Sequence, residues 1–216
     1  MVGAAIAVVF NVLHPRSSDL DPSSVVTAAA ENSIWAVDHY LLGWAIGLAL
    51  FALVVITHTL TGSRSQSWGR VALWFAVGGT AIAFVTIVVD GFALSQAAQH
   101  GSAEVATAVA YVGEGLFVAT IGSFFGITPV VYGVALLTGD DYPSWLGWTI
   151  LLAGTLGVVT GSIVFFAGPA SVTINVLFPI SSLVTTLWIG VMGYKIWQKL
   201  AAELPPAPSG QSEPAP

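Results

Sequence analysis

The chain has 216 residues, of which 56% are hydrophobic and only 7% are charged, and its mean hydropathy is +0.86. Soluble domains carry about 25% charged residues, so this composition indicates a protein whose partner is the lipid bilayer. Cysteine is absent, which excludes disulfides, thiolate metal sites and cysteine nucleophiles, and the net charge of −6 leaves no basic cluster that could hold nucleic acid.

The first apolar stretch, Val2–Leu13, is short. As a helix it reaches about 20 Å, which is less than the bilayer core of about 30 Å. We interpret it as a short span or as one that lacks its beginning. A signal peptide is the alternative, because residues 28–30 would provide a cleavage site, but no basic residue precedes the apolar run.

Residues 15–33 contain two prolines and five serines and predict an exposed loop with a small surface helix in its second half. Five full spans follow, so that the fold class is an all-α, polytopic transmembrane bundle of six helices. In the longest span, Pro129 predicts a kink. We assign residues 1–199 to one integral membrane domain and residues 200–216 to a disordered, proline-rich cytoplasmic tail. The full spans are predicted at residues 34–60, 71–95, 105–137, 145–167 and 172–197.

The basic residues predict the orientation of the bundle. Arg64 and Arg70 follow the first full span, and Lys195 and Lys199 lie at the end of the last one. With six spans these four residues fall on one side of the membrane, which the positive-inside rule assigns to the cytoplasm together with both termini. Only Arg16 falls on the outer side. Tryptophans near the predicted span ends are typical of an interfacial belt, namely Trp35, Trp68, Trp74, Trp145, Trp148 and Trp197.

Two pairs of glycines have the spacing of close helix contacts. Gly43 with Gly47, and Gly157 with Gly161, form GxxxG patterns that let a neighbouring backbone approach. These pairs predict compact packing, either within the bundle or in an oligomer or membrane complex.

Ionisable side chains inside predicted spans are costly in lipid and are candidates for a functional site. His39 and Asp90 lie roughly 8 Å, and Glu114 roughly 10 to 15 Å, from the outer ends of their helices. Asp38 and His14 belong to the same layer. We therefore predict an outward-opening polar cavity, with Glu114, Asp90, His39 and Asp38 as its ligand-binding residues.

Several chemistries could use such a cavity. His14, His39, Asp90 and Glu114 could hold a divalent metal ion, which could activate water for hydrolysis. A haem between His14 and His39 is an alternative, although the nearby carboxylates argue against it. A proton or cation relay is a third, and the same groups could also serve only to pair helices. No HExxH, nucleophile elbow or Walker lysine is present to support an enzyme.

Two motifs in the second half of the chain suggest a family. "YVGEGLF", with Glu114-Gly115, and "PVVYGVALLTGDDYPSWLGW", with the turn from Pro143 to Trp148, precede a glycine-rich helix. Over residues 105–197 the chain resembles a prokaryotic family of six-span membrane proteins of unknown function. The resemblance implies an α-helical six-span fold without an established activity, and a first helix that lacks its beginning.

The sequence thus favours a multi-pass protein of the cell membrane that binds a small ligand, ion or proton in the polar cavity. A membrane-embedded, metal-dependent enzyme of a hydrolase-like kind is the alternative. A structural subunit of a membrane complex is the third hypothesis.

Overall fold

The computed structural model describes residues 1–14, 21–168 and 173–203, and these residues form helices with no strand among them, so the all-α prediction is confirmed. Arg16 and residues 204–216 of the predicted tail lie outside the described residues. The helices are α1 (Val2–Leu13), α2 (Pro22–Glu31), α3 (Trp35–His58), α4 (Ser63–Ile87), α5 (Leu94–His100), α6 (Ala103–Gly122), α7 (Thr128–Leu137), α8 (Ser144–Ala167) and α9 (Phe178–Glu203).

Five helical segments in the described part of the chain are long and apolar enough to cross a membrane. The protein is therefore a helical membrane protein. Helix α4 continues through α5, and α6 continues through α7, so that each pair forms one span. The five segments are Trp35–His58, Ser63–His100, Ala103–Leu137, Ser144–Ala167 and Thr173–Ala202.

Helix α1, with 12 residues, is too short to be one of these spans. It packs between α3 and α9. A Cβ atom on Gly3 would lie 2.6 Å from the Cβ of Leu48, and one on Gly190 would lie 3.4 Å from the Cβ of Ala4. The other end of α1 reaches the first turn of α3, where His14 contacts Asp38. Helix α1 therefore covers only about half of the length of its neighbours.

The chain alternates between two ends of the bundle. One, the basic end, holds residues 59–62, residues 138–143 and the Lys195–Lys199 segment of α9, and α4 begins there with Arg64 and Arg70. The opposite one, the cavity end, holds His14, α2 and the first turn of α3. The four basic residues used to predict the orientation thus lie toward the same end.

The two halves of the bundle are packed differently. Toward the basic end, apolar side chains fill the interior around Ile56, Tyr132, Leu146 and Met192. Some buried hydroxyl groups in this half form local hydrogen bonds, and the Tyr132 hydroxyl donates to the Leu53 carbonyl oxygen at 3.0 Å. Toward the cavity end the interior is open, and the polar cluster lies there.

Three π-helical turns, Val88–Ala93, Ser123–Ile127 and Thr173–Leu177, interrupt the long helices. The second and third are each followed, two residues later, by a proline, Pro129 or Pro179. Proline has no N–H, and its ring displaces the carbonyl four residues earlier, so the helix widens in the preceding turn. The irregularity that we predicted at Pro129 accordingly lies at Ser123–Ile127. The first π-helical turn contains Asp90 and has no proline.

A carboxylate joins two loops at the basic end. Asp141 accepts hydrogen bonds from the backbone N–H of Thr61, at 2.9 Å, and from the Thr61 hydroxyl. Partial burial opposes ionisation of Asp141, but these hydrogen bonds and the charge of Lys199 outweigh it and lower the pKa of the carboxyl group. The loops at residues 59–62 and 138–143 are therefore joined by an ionised side chain, which also interacts with the charge of Lys199 near the end of α9.

We expect this contact to make stability depend on pH. Because the pKa of Asp141 is lowered on folding, its contribution is present above the unfolded pKa of about 3.9 and is lost as the pH falls through the lower folded value. Asp141→Asn should lower the free energy of unfolding at neutral pH by less than about 1 kcal/mol, since the carboxylate is only partly buried and solvent screens its contacts. Thermal unfolding in detergent at several pH values measures this difference, which should vanish in acid. Asp140→Asn, at the exposed neighbour, is the matched control, and an equal effect of that variant would contradict the prediction.

Candidate functional site

The first turn of α3 places three site residues. The Asn32 side chain accepts a hydrogen bond from the Ile34 N–H at 3.0 Å and fixes the entry to the helix. Trp35 and His39 follow one turn apart on the same face, with ring centroids 5.0 Å apart and an interplanar angle of 30°. Asp38 lies in the same turn, where the N-terminal end of the helix dipole favours a negative charge.

His14 contacts Asp38 where α1 ends. The His14 Nδ1 atom lies 2.6 Å from the Asp38 Oδ2 atom, and the His14 side chain is 32% exposed whereas that of Asp38 is 0% exposed. The second carboxylate oxygen, Asp38 Oδ1, is buried without a hydrogen-bond partner among the described residues. Buried polar atoms almost always have a partner, so this oxygen points to an interaction beyond the side chains that the structure describes.

The hydrogen bonds of His39 determine where its protons lie. The Nδ1 atom is 2.8 Å from the Trp35 carbonyl oxygen, which can only accept, so Nδ1 carries a proton and donates it. The Nε2 atom is 3.2 Å from Asp90 Oδ2. Either an imidazolium donates to the carboxylate or a protonated Asp90 donates to the neutral ring. In both cases one proton lies between His39 and Asp90.

Asp90 is positioned by the first π-helical turn. The Trp35 indole N–H donates to the Asp90 backbone carbonyl at 2.8 Å, which ties this turn to the start of α3. The next residue, Gly91, lies directly against the histidine, because a Cβ atom there would be 2.3 Å from the His39 Cβ. A π-helical turn with a glycine thus lets two helices approach closely enough for the His39–Asp90 contact.

The cluster forms the polar wall of a cavity of about 280 Å³, which we call the first cavity. His14, His39 and Asp90 face it at the cavity end, and most of the remaining lining is apolar. All three π-helical turns contribute to the wall, the second through Phe124 and Phe125. A mainly apolar cavity with a few convergent polar groups is the usual form of a site for a small molecule.

Glu114 lies next to this cavity rather than in it. It lines a second cavity of about 140 Å³, whose wall also includes Asp90 and Gly113. Glu114 forms no hydrogen bond or ion pair with any residue that the structure describes. On α6 it is Gly113 that packs against Asp90, since a Cβ atom at Gly113 would lie 3.5 Å from Asp90 Oδ1. The structure therefore brings four predicted site residues into one chain of contacts, namely His14, Asp38, His39 and Asp90. Glu114 lines the second cavity and is not part of this chain.

The metal ligands that the structure brings together differ from the predicted set. Ligand atoms of His14, Asp38 and His39 lie within 4.8 Å of one another. Of these three residues, Asp90 forms a hydrogen bond only with His39, and Glu114 forms none with any of them. The haem hypothesis gains no support, because the rings of His14 and His39 are in edge-to-face contact, with centroids 5.0 Å apart, and leave no space for a macrocycle between them.

Sequence reasoning missed the part played by Trp35. We assigned this residue to an interfacial belt, but it is 3% exposed and bonds to the π-helical turn that carries Asp90. Its spacing of four residues from His39 was the available signal, because residues at this spacing share a helix face. Helix α2 was predicted only as a surface helix. Its Val25 lines both cavities, and Ala29 is fully buried.

Fold and site together define a class, namely a helical membrane protein with a cavity whose polar wall consists of histidine and carboxylate side chains. No family model, curated protein or solved structure matches the chain in comparisons with known proteins. The resemblance of residues 105–197 to a six-span family stays a prediction. The function is therefore argued from the site.

Proposed function

We propose that the protein is a multi-pass protein of the cell membrane that binds a small amphiphilic ligand in the first cavity. The observation that carries this proposal is the uneven distribution of polar groups in the cavity wall. His14, His39 and Asp90 lie together at the cavity end, whereas the rest of the wall is mainly aromatic and aliphatic, as at Phe117 and Phe178, and includes four threonines and one asparagine. Such a wall suits a ligand with one polar head and a short apolar body.

The chemistry of Asp90 indicates the kind of head group. Its Oδ2 atom faces His39, and its Oδ1 atom makes no hydrogen bond to a described residue. A carboxylate oxygen with free lone pairs accepts from a donor, and a charged donor forms the stronger bond. We therefore favour a head group that donates hydrogen bonds and carries a positive charge, such as an ammonium group. The volume of about 280 Å³ is close to the lower limit of ligand pockets, about 300 Å³, and suits a small ligand.

The distribution of basic residues supports an orientation with the basic end in the cytoplasm. Lys199 lies close to Asp141, and Arg64 and Arg70 begin α4 at the same end. The end of α9 is then cytoplasmic. Helix α1 begins nearer the basic end and ends at His14, at the cavity end. In this orientation α1 runs outward as a sixth, short span. The first cavity then lies in the outer half of the membrane.

We expect n-hexylamine to bind the detergent-purified, chelator-treated protein more tightly than n-hexanol does. Asp90→Asn should weaken hexylamine binding about tenfold or more and leave hexanol binding unchanged, because a hydrogen bond between charged groups is worth about 1.5 to 3 kcal/mol. Isothermal titration calorimetry measures both affinities.

Glu104→Gln provides the matched control, since Glu104 is an exposed acid at the cavity end. It removes the same charge without touching either cavity. Equal affinities of hexylamine and hexanol for the unmodified protein would refute the proposal. An equal loss of hexylamine binding in Glu104→Gln would show a nonspecific charge effect and would also refute it.

A further inference from the structure

We propose that His14, Asp38 and His39 form a binding site for a divalent transition-metal ion of the Zn²⁺ type at the polar wall of the first cavity. This inference deepens the proposed function and rests on it, because both sites use the first cavity. The atoms that would bind the metal ion differ from the Asp90 oxygen that would bind the head group.

The donor atoms lie close enough together to share one ion, since one ligand atom of each residue lies within 4.8 Å of the others. The His14 Nδ1 atom lies 2.6 Å, and the His39 Nδ1 atom 4.0 Å, from the same carboxylate oxygen, Asp38 Oδ2. Two imidazole nitrogens with one carboxylate oxygen form a ligand set typical of Zn²⁺ and other borderline cations, whereas Ca²⁺ and Mg²⁺ prefer oxygen alone. His14 lies at the C-terminal end of α1, and Asp38 and His39 lie in α3, so folding brings the three residues together.

The unpaired oxygen of Asp38 is an independent indication of a ligand. The Asp38 side chain is 0% exposed, and its Oδ1 atom has no hydrogen-bond partner among the described residues. A buried carboxylate oxygen without a partner loses its hydration and gains nothing in return. A cation held by the two histidines and by both oxygens of the Asp38 carboxylate would supply the missing interaction.

His39 can act as a ligand without leaving an unpaired group behind. Its Nδ1 atom becomes free for the metal ion when the Nδ1 proton is released, as metal binding requires. The proton that lies between Nε2 and Asp90 Oδ2, which are 3.2 Å apart, then stays on Nε2. The Trp35 carbonyl, which Nδ1–H now contacts, lies one helical turn before His39 and keeps its helical backbone bond. Metal-bound histidines usually donate their other N–H to a carboxylate, so Asp90 would orient His39 as a positioning residue.

The site would leave coordination positions open toward the first cavity. His14 and His39 both line that cavity, and three protein ligands are fewer than the four of a closed structural zinc site. A molecule in the cavity could therefore contact the ion directly.

Titration of the full-length, detergent-purified and chelator-treated protein with Co²⁺ tests the inference. Cobalt bound to two histidines and a carboxylate in a four- or five-coordinate site shows strong visible d–d bands, whereas hydrated cobalt shows weak ones. We expect one Co²⁺ per chain, displaced by Zn²⁺. His14→Ala and Asp38→Asn should each lower the affinity for Co²⁺ at least tenfold. Removing a residue that only hydrogen-bonds to a metal ligand already costs about tenfold or more, and removing a ligand should cost at least as much.

His58→Ala and His100→Ala are the matched controls, because each removes an exposed histidine elsewhere. They should bind cobalt as the unmodified protein does. Thermal unfolding of the metal-free variants separates loss of binding from loss of folding, and His14→Ala, at the partly exposed edge of the cluster, is the variant expected to fold normally.

Weak, hydrated-type cobalt spectra of the unmodified protein would overturn the proposal, as would an unchanged affinity in a folded His14→Ala variant. An equal loss in His100→Ala would overturn it as well. The hexylamine titration uses chelator-treated protein, so the two proposals can fail separately. Cobalt binding without a preference for hexylamine refutes only the amphiphile proposal, and the reverse result refutes only the metal site.

Discussion

Gly157→Ala is expected to lower the free energy of unfolding by about 3 kcal/mol, at the upper end of the range for overpacked interiors. A Cβ atom at position 157 would lie 2.2 Å from the Phe125 carbonyl oxygen. This oxygen is the group that the N–H of residue 129 would bond in a regular helix, but Pro129 has no N–H. The obstacle is backbone in a π-helical turn that Pro129 fixes, so it cannot rotate away as a side chain would. The midpoint of thermal unfolding in detergent measures the effect.

Gly78→Ala and Gly115→Ala are the controls for this prediction. Both glycines lie in long helices, and nothing lies within 4 Å of an added Cβ atom. Alanine has a higher helix propensity than glycine by about 1 kcal/mol, so these variants should be neutral or stabilised. If Gly157→Ala melted at the same temperature as these controls, the close packing of α8 on the Ser123–Ile127 turn would be contradicted.

Gly91→Ala is expected to separate His39 from Asp90 and to weaken binding of both Co²⁺ and hexylamine at least tenfold. The added Cβ atom would lie 2.3 Å from the His39 Cβ and 2.7 Å from its Cγ. The base of a side chain cannot move independently of its helix, so the first turn of α3 must shift. We also expect a loss of about 1 to 3 kcal/mol in stability. The cobalt and calorimetric titrations described above measure binding, and unfolding in detergent measures stability.

Gly113→Ala is the matched control, because it adds the same methyl group on the opposite side of Asp90. Its Cβ atom would lie 3.5 Å from Asp90 Oδ1, an ordinary van der Waals distance. This variant should fold and bind cobalt normally. Normal binding in Gly91→Ala would show that the His39–Asp90 contact is not needed for either ligand.

The spans were predictable because a helix in lipid must satisfy its own backbone and match the thickness of the hydrocarbon core. The run at residues 145–167 corresponds to α8 at Ser144–Ala167, and that at 34–60 to α3 at Trp35–His58. The length of α1 could be read from its composition. The packing of α1 between α3 and α9 could not be predicted, because the sequence does not show which helix Gly3 or Gly190 contacts.

The position of each site residue along its helix was predictable, but the direction in which its side chain points was not. Residues at similar depth meet only if their helices are rotated correctly, and successive residues differ by about 100° around a helix of 3.6 residues per turn. On α6 that step places Gly113, rather than Glu114, against Asp90. The π-helical turn Val88–Ala93 also changes the direction in which the Asp90 side chain points. Without a proline nearby, the local sequence did not predict this turn. The contacts of Trp35 and Asp141 likewise depend on segments distant in the chain.

By itself, the sequence determined a helical membrane protein, the positions of its long apolar helices and the end of the bundle toward which His14, His39 and Asp90 lie. These properties follow from hydrophobicity and length, which local sequence carries. The tertiary structure alone decided that His14, Asp38, His39 and Asp90 form a chain of contacts and that Glu114 lines the second cavity. Helix rotation, the π-helical turns and the glycine contacts set these distances, and each depends on packing between segments far apart in the chain.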